Sequence, residues 1–578
     1  MKKLLSATLA VIMMLSMLAL PVVATESTEP VIGYSADLVD PVVLTDITNI
    51  EGVTTLSESA YKIDSVEGMN NFAELTKKNN FEGITVYLDD DIIYGDSDEC
   101  KPIATVSSCF FQGTFDGQGH TISNFKYTAA SGRLGLLFFA AGATIQNLKL
   151  DSTCCFTMTG ASADGVSSVV GMVSTVGGVV RPTTVKNISS AATVIAATSQ
   201  KVAGIVGYKA GAQGLNVENC EYISTATVNV KQSSGGILGF SEHEGAISIQ
   251  NCKNTTSFAA TNTDVAGMIG LSNAPISVIE NCVNTGTMTS THQSAGIIGK
   301  YAYNAAFTIS NCINEGTIGT AATSEFCGGI LGQNSSTAAI TIINCTNNGV
   351  VQGKNYLGGI AGWFAKSGSS INGCSNYGAI TASNAFVGGI LGGSGAVATV
   401  NNCANYKKVT LNHATNTSIG DITGREDASY VTVTNSPARA WTRAIQKGEA
   451  YNKQGDTEHV YQDIRVIGII DSLNYEKVGF EIVAKDKNGE TVQTINLDCN
   501  YVYESLVAVT DGVEDTITAN DDRKGGYYFA VVIQGVPAAY EQLTFEIKTY
   551  TIANEASEKL YGASGTVTVE LDQEVKKN

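Results

Sequence analysis

The chain has 578 residues and a formal net charge of −19, with 54 acidic and 35 basic side chains. This charge argues against nucleic acid and anionic membrane surfaces as partners. Charged residues make up only 15% of the chain, and glycine occurs 60 times. Such a composition indicates a β-rich repeat protein rather than a disordered acidic segment.

The first 24 residues have the pattern of a secretory signal peptide. Two lysines precede an apolar stretch from Leu4 to Leu20, and small residues lead to Ala24. This pattern predicts cleavage after Ala24 and a secreted or cell-surface protein. The apolar stretch is shorter than the roughly 20 residues of a membrane-spanning helix, which favours a cleaved signal peptide over an uncleaved membrane anchor. No later segment is long and apolar enough to span a bilayer, so we expect no membrane span after cleavage. We expect residues 25–62 to form an N-terminal linker.

A short amphipathic helix is predicted at 69–75, with Phe72 and Leu75 on one side. A solenoid must cover its first coil, and a helix can do so. Two β-prone segments follow, TFDGQGHTISNF at 114–125 and GLLFFAAGATIQNL at 135–148. We interpret Asp116 and His120 of the first segment as parts of a glycine-rich structural turn rather than a catalytic pair.

These two segments resemble the first coils of bacterial secreted proteins that carry GLUG-type repeats. The resemblance extends from about residue 65 to about residue 425. It implies a right-handed parallel β-helix in an exported protein that makes surface adhesion or matrix contacts. The family has no established catalytic residues, so the resemblance assigns none here.

The middle of the chain repeats with a period of 29 to 33 residues, marked by seven cysteines. An apolar residue lies three places before each cysteine and six places after it, and a glycine-rich block adds a third apolar row. This pattern predicts a parallel β-helix over 63–425 with three strands in each coil of about 30 residues. The cysteines are Cys220, Cys252, Cys282, Cys312, Cys345, Cys374 and Cys403.

Cysteines and asparagines are predicted to form ladders along the solenoid. Cysteines at one position of successive coils point in the same direction, so we interpret them as small buried hydrophobic residues; disulfides and metal sites remain alternatives. Asparagines occupy the position before six of the seven cysteines and the position two residues after six of the seven, where they suit a repeated bend and can stack their amides.

Each glycine block carries two adjacent apolar residues, such as Ile330 and Leu331. On a regular strand they would face opposite sides. The second residue is therefore either turned inward by a corner or exposed as an apolar contact stripe.

The repeat fades after about residue 410, and residues 426–459 are predicted to form a linker or exit cap, with a short helix around Trp441 and Ile445. Alternating strands and a hairpin signal at Lys487–Gly489 then predict an antiparallel β-sandwich over 460–578.

No catalytic constellation and no metal or cofactor site is predicted. The acids of the repeats are scattered, and the run from Asp89 to Glu99 is interpreted as a solvated loop rather than a Ca²⁺ site. Tyr208, Phe240 and Trp363 share one lateral position and are the candidate binding residues, although Leu271, Lys300 and Gln333 separate them. Phe326, Tyr356 and Phe386 are predicted to form a stack in the core.

The sequence favours a non-enzymatic exported protein that contacts a glycan or a cell-surface protein through a lateral face of the β-helix. A polysaccharide lyase or glycoside hydrolase of the pectate-lyase-like fold is the first alternative. A structural spacer is the second.

Overall fold

The computed structural model describes residues 53–57 and 60–575, except 177–178, 180, 406, 408, 414–417, 421, 426, 428, 435–439, 457, 471–476, 500–501, 505–526 and 553–558. The expected signal peptide, 1–24, and the first part of the expected linker lie outside these residues. The described chain forms an all-β protein, with a parallel β-solenoid followed by a separate antiparallel sheet. The predicted fold class is therefore confirmed.

Sheet I is the largest side of the solenoid and contains 23 strands. Its strands pair in parallel from coil to coil, except for the first strand, which pairs antiparallel with the second. The strands are Val53–Ser57, Ala60–Ile63, Thr85–Leu88, Ile92–Ile93, Thr114–Asp116, Thr121–Ser123, Thr144–Leu150, Thr183–Ser190, Leu215–Glu218, Glu221–Tyr222, Ile247–Gln250, Lys253–Asn254, Ile276–Glu280, Val283–Asn284, Phe307–Ser310, Ile313–Asn314, Ile340–Ile343, Thr346–Asn347, Ser370–Asn372, Ser375–Asn376, Ala398–Asn401, Ala404–Asn405 and Val431–Thr434.

Sheet II forms the second side from nine parallel strands, one in each successive coil. They are Leu137–Ala140, Val170–Val173, Val206–Lys209, Leu238–Glu242, Ile269–Asn273, Ile298–Tyr301, Leu331–Asn334, Ala361–Phe364 and Leu391–Ser394.

The third side consists of shorter parallel sheets that end at the corner leading into sheet II. Its strands are Lys126–Ala129, Cys155–Met158, Thr193–Ile195, Val228–Val230, Ser234–Gly235, Phe258–Ala260, Val265–Ala266, Met288–Thr289, Ser294–Ala295, Glu325–Gly328, Val351–Gly358, Ile380–Gly388, Val409–Leu411 and Ile419–Gly420.

Helix α1, Val66–Leu75, packs on the first coils, as predicted for this segment. Ser65 caps it by accepting a hydrogen bond from the Gly68 amide at 3.2 Å, and Phe72 is buried against Phe115. The described part of the chain contains no helix with the length and apolar character of a bilayer-spanning segment.

The cysteine ladder lies in the solenoid core. All seven cysteines are buried and none of them forms a disulfide, and their Sγ atoms lie near backbone carbonyl oxygens, as Cys252 does with Gln250 at 3.2 Å. Burial raises the pKa of Cys252 and Cys312, which keeps these thiols protonated. The interpretation as small buried residues is confirmed.

The asparagines form a second ladder, deeper in the core than predicted. From Asn254 to Asn376, each Nδ2 group donates to the Oδ1 atom of the next coil and to the carbonyl two residues ahead, as Asn284 does with Asn314 and Gly286. The ladder consists of Asn254, Asn284, Asn314, Asn347, Asn376 and Asn405. Both amide hydrogens are used, so these buried polar groups are satisfied.

A corner turns both apolar rows of the glycine blocks inward. Ile330 and Leu331 are both fully buried, because the Gly328–Gly329 pair bends the chain immediately before them. A Cβ atom at Gly329 would overlap the Asn347 side chain, so the asparagine ladder requires glycine there. The exposed-stripe alternative is therefore excluded.

The C-terminal part is an eight-stranded sheet whose two halves pack face to face through Phe480 and Phe529, with ring centroids 4.7 Å apart. Its strands are Ala440–Lys447, Tyr461–Ile470, Lys477–Lys485, Thr491–Cys499, Val502–Glu504, Tyr527–Pro537, Gln542–Ile552 and Leu560–Glu570, with a 3-10 turn at Ala538–Tyr540.

Two expectations about boundaries differ from the structure. Residues 440–447, expected as a linker or short helix, form a strand of the C-terminal sheet that pairs with Tyr461–Ile470. At the other end, Val53–Ser57 and Ala60–Ile63 fall within the expected linker but already belong to sheet I. Strand pairing, which spacing alone did not reveal, accounts for both differences.

Candidate functional site

One lateral side of the solenoid carries a continuous row of outward-facing residues on sheet II. Successive members are register partners in neighbouring parallel strands, so coils about 4.8 Å apart each contribute one side chain. We call this set the outer row. It consists of Phe139, Met172, Tyr208, Phe240, Leu271, Lys300, Gln333, Trp363 and Gly393, continued by Arg425.

A second row runs beside it at the corner between the third side and sheet II. These residues precede the paired corner strands, and most have a positive φ, for example 60° at Asp264 and 58° at Tyr356. We call them the corner row: Arg133, Gly165, Lys201, Ser233, Asp264, Gln293, Phe326, Tyr356 and Phe386. The two rows together form the lateral strip.

Glycine holds the two rows side by side. A Cβ atom at Gly362 would lie 2.7 Å from the Tyr356 carbonyl oxygen, and one at Gly392 would lie 2.7 Å from the Leu357 amide nitrogen. The last glycine of each block therefore lets sheet II approach the corner backbone closely. As a result, side chains of the two rows touch each other.

In the N-terminal section of the strip, the side chains bury one another. Tyr208 and Phe240 are only 7% and 8% exposed, and their ring centroids lie 5.6 Å apart. Lys201 places its Nζ atom 3.6 Å from the Tyr208 ring centroid. The predicted shared position of Tyr208, Phe240 and Trp363 is correct, but the first two rings offer little open surface.

The middle section is polar. Gln293 donates from Nε2 to Oε1 of Gln333 at 2.8 Å across the two rows. Asp264 is 5% exposed, its Oδ2 accepts from Thr263, and its Oδ1 has no hydrogen-bond partner. Burial raises the pKa of Asp264, and the nearby positive charge of Lys300 opposes this shift.

The C-terminal section is aromatic. Phe326, Tyr356 and Phe386 stack in parallel, with centroid distances of 4.6 and 5.2 Å. They stack as predicted, but the predicted core position is wrong, because all three are half-buried on the corner row. Their positive φ values, 54° to 58°, break the strand alternation on which that prediction relied. Both faces of Tyr356 are covered by its neighbours, so it presents only its edge.

Trp363 lies beside this stack in a different orientation. Its ring meets Tyr356 edge-on, with centroids 4.8 Å apart and planes at 66°. It extends over the next coil, where a Cβ atom on Gly393 would come within 3.0 Å of the indole. Because residue 393 has no side chain, the indole can lie along the sheet, and Trp363 remains half-buried. It is the candidate stacking surface of the strip.

Arg425 closes this end of the strip. Its guanidinium carbon lies 3.3 Å from the Tyr430 ring centroid and 5.9 Å from that of Phe386. Nη1 donates to the Ser394 carbonyl at 2.9 Å. The side chain is therefore fixed in place beside the aromatic section.

Asp116 belongs to a satisfied turn outside the strip. Its carboxylate accepts hydrogen bonds from the Gln118 amide at 2.9 Å, Asn147 Nδ2 at 3.0 Å and Gln146 Nε2 at 2.7 Å. These three contacts hold the glycine-rich turn in place, as the sequence predicted. The Nδ1 atom of His120 lies 3.4 Å from Oδ1 of Asp91.

The acidic run is a solvated loop with local partners. Asp89 pairs with Lys62 at 2.7 Å, and Asp91 accepts from the Thr121 amide at 2.7 Å. Within the residues that the structure describes, no group of three or more histidines, cysteines or acids is placed to hold a metal ion.

Sequence reasoning missed Lys201, Asp264, Gln293 and Arg425 as members of the strip. The signal was present: Arg425 follows Gly424 as Trp363 follows Gly362, and from Lys201 onward the corner row lies three places before the glycine that precedes the first buried apolar residue of each block. Without knowledge of the positive φ at that position, its side chains could not be assigned to the outside.

The solved structures similar to this chain include the following two. A provisionally named immunoglobulin A1 protease from Bacteroides ovatus is 16% identical, with a TM-score of 0.27, covering 65% of this chain and 84% of its own. The enzymatically active domain of tailspike protein 4 from bacteriophage CBA120 is 11% identical, with a TM-score of 0.24, covering 92% and 72%. No family model and no curated protein matches the chain. Because both TM-scores are low, the solenoid assignment rests on the strand pairing described above.

Proposed function

We propose that this protein is an exported, non-enzymatic glycan-binding protein that holds an extended sugar chain along the lateral strip. Trp363 supplies the main stacking surface. The observation that carries the proposal is the half-buried indole beside the closed aromatic stack, with a polar section next to it. Binding sites for small and extended ligands combine aromatic surface with a few fixed polar groups in this way.

The spacing of the strip supports an extended ligand. Each coil contributes one position about 4.8 Å after the previous one. One sugar unit of an extended chain has a comparable length, so successive sugars would meet successive coils. The amides of Gln293 and Gln333 suit sugar hydroxyl groups, because an amide both donates and accepts hydrogen bonds.

Export and the GLUG-type relationship are part of the proposal. The lysine-plus-apolar start of the chain supports the first, and the segments at 114–125 and 135–148 support the second. Both are consistent with a protein that meets glycans outside the cell.

The test is a glycan-array screen of the full chain and two variants. Trp363→Ala should lower the affinity for the bound glycan about 30-fold or more, as expected for a central aromatic anchor. Tyr377→Ala is the matched control, since Tyr377 is 45% exposed and outside the strip. Equal binding by Trp363→Ala and wild type, with both folded, would refute the proposal.

One observation favours an enzymatic alternative. Asp264 is a buried carboxyl group with a raised pKa in the middle of the strip, which is a property of general acids. A reducing-sugar assay on each bound glycan tests this alternative. If wild type releases sugar and Asp264→Asn does not, the function is glycan cleavage rather than binding alone.

A further inference from the structure

The lateral strip reverses the sign of the protein's charge. Across the chain, acids outnumber bases 54 to 35. In the strip, four side chains are basic and one is acidic, and that one is the buried Asp264. The basic residues are Arg133, Lys201, Lys300 and Arg425.

We propose, on the basis of the proposed function, that the strip binds an anionic glycan, with carboxylate or sulfate groups spaced along the chain. Counted along the outer row, the four basic residues stand two, three and four coils apart. A glycan with one sugar per coil would then meet a basic side chain at every second to fourth sugar.

Lys300 is the basic residue with the most favourable surroundings for an anion. It is half-buried and adjoins the Gln293–Gln333 amide pair through the strand register with Gln333. Its acidic neighbour is Asp264, which is 5% exposed and therefore offers little of its carboxylate to the surface of the strip. Partial burial strengthens an ion pair relative to a fully exposed one.

The other basic residues are positioned over rings. Arg133 lies 4.7 Å from the Phe139 centroid, and Lys201 lies near Tyr208. Asp164 and Glu242 lie close enough to influence Lys201, and Asp164 lies 3.9 Å from Arg133. The N-terminal section is therefore partly neutralised, which leaves Lys300 as the decisive position.

The spacing disfavours a nucleic acid. Single-stranded nucleic acid carries a phosphate on every nucleotide, and proteins follow it with a continuous positively charged groove. Here, Leu271, Gln333 and Trp363 separate the basic positions, so the strip has no continuous positively charged groove.

The experiment compares matched ligands on the full chain by titration calorimetry. Hyaluronan carries a carboxylate on every second sugar, and its methyl ester has the same backbone without charge. Chondroitin sulfate tests sulfate, and oligo-dT tests nucleic acid. We expect hyaluronan or chondroitin sulfate to bind about tenfold more tightly than the methyl ester, with an advantage that falls as salt rises.

The variants are Lys300→Gln and its control Lys186→Gln. Lys186 also lies on a strand, but in sheet I, where its register partners are Gln146 and Glu218. Lys300→Gln should weaken binding of the acidic glycan about threefold, in the range of a single partly exposed ion pair. Binding of the methyl ester and the behaviour of Lys186→Gln should not change.

The outcomes separate this inference from the proposed function. Equal affinity for the acidic and esterified glycans, no binding of either acidic glycan, or equal effects of the two lysine variants would overturn the inference. Tighter binding of oligo-dT would also overturn it. If Trp363→Ala leaves binding of every glycan unchanged, the proposed function itself fails.

Discussion

Replacing Asn314 with alanine removes the central member of the buried asparagine ladder. Its Nδ2 donates to the Gly316 carbonyl at 2.9 Å and to Asn347 Oδ1 at 2.8 Å, and its Oδ1 accepts from Asn284 at 2.8 Å. The substitution leaves polar groups on three neighbours unpaired inside the core. Each such group costs about 1–3 kcal/mol, partly relieved by local adjustment. We expect a total loss of about 3–5 kcal/mol in unfolding free energy.

Urea unfolding followed by circular dichroism measures this loss, with Asn281→Gly as the control. Asn281 belongs to the asparagines that directly precede the cysteines, which we call the outer ladder; it has a φ of 54°, is exposed and donates to Asn251 at 3.1 Å. Glycine accepts this φ, so the control should change stability by less than about 1 kcal/mol. Equal destabilisation by the two substitutions would refute the view that the inner ladder is a satisfied buried network.

Three further predictions follow from the core. Burial lowers the pKa of Lys209 from 10.5 to about 8, so between these pH values Lys209 is protonated in the unfolded chain but not in the native protein. The unfolding free energy of wild type, measured relative to that of Lys209→Met, should therefore rise by up to about 3 kcal/mol between pH 8 and 10.5. A pH-independent difference between the unfolding curves would contradict this. Gly329→Ala should lower the unfolding free energy by more than about 3 kcal/mol, because its Cβ would overlap the Asn347 side chain. The control Gly489→Ala, in an open turn at φ 82°, should lower it by about 1 kcal/mol; thermal unfolding measures both. Nine of the described cysteines are buried, so thiol labelling should rise by about nine equivalents on denaturation, and disulfides among them in native protein would contradict the fold.

The solenoid could be predicted from the sequence because apolar residues recur at the same position of every repeat, and these positions face the core. The residues three before each cysteine, such as Ile249 and Ile342, are buried because stacked strands keep one register through many coils. A periodic pattern of this kind is a property of the chain itself, so no tertiary information was needed.

The corner row could not be predicted for a physical reason. Regular strand alternation would place Phe326 and Phe386 in the core. Both residues have a positive φ at the corner, which interrupts the alternation and turns their side chains to the outside. Asparagine or glycine usually signals such a backbone. Here aromatic residues adopt it, so the sequence carried no local warning.

The candidate site was predicted only in part. The shared position of Tyr208, Phe240 and Trp363 followed from counting residues after each glycine block, and the structure confirms it. Their different exposure depends on neighbours from other coils. Lys201 covers Tyr208, whereas Gly393 leaves space for Trp363, and neither relationship is visible in the spacing.

The most direct test of the proposed function uses the fluorescence of Trp363. The chain has two tryptophans, so Trp441→Phe leaves Trp363 as the only one. Hyaluronan oligosaccharides are titrated into this variant, and heat and emission are measured on the same samples. The proposal predicts a saturable change in emission with the same midpoint as the heat of binding. Binding heat without any change in Trp363 emission would contradict it.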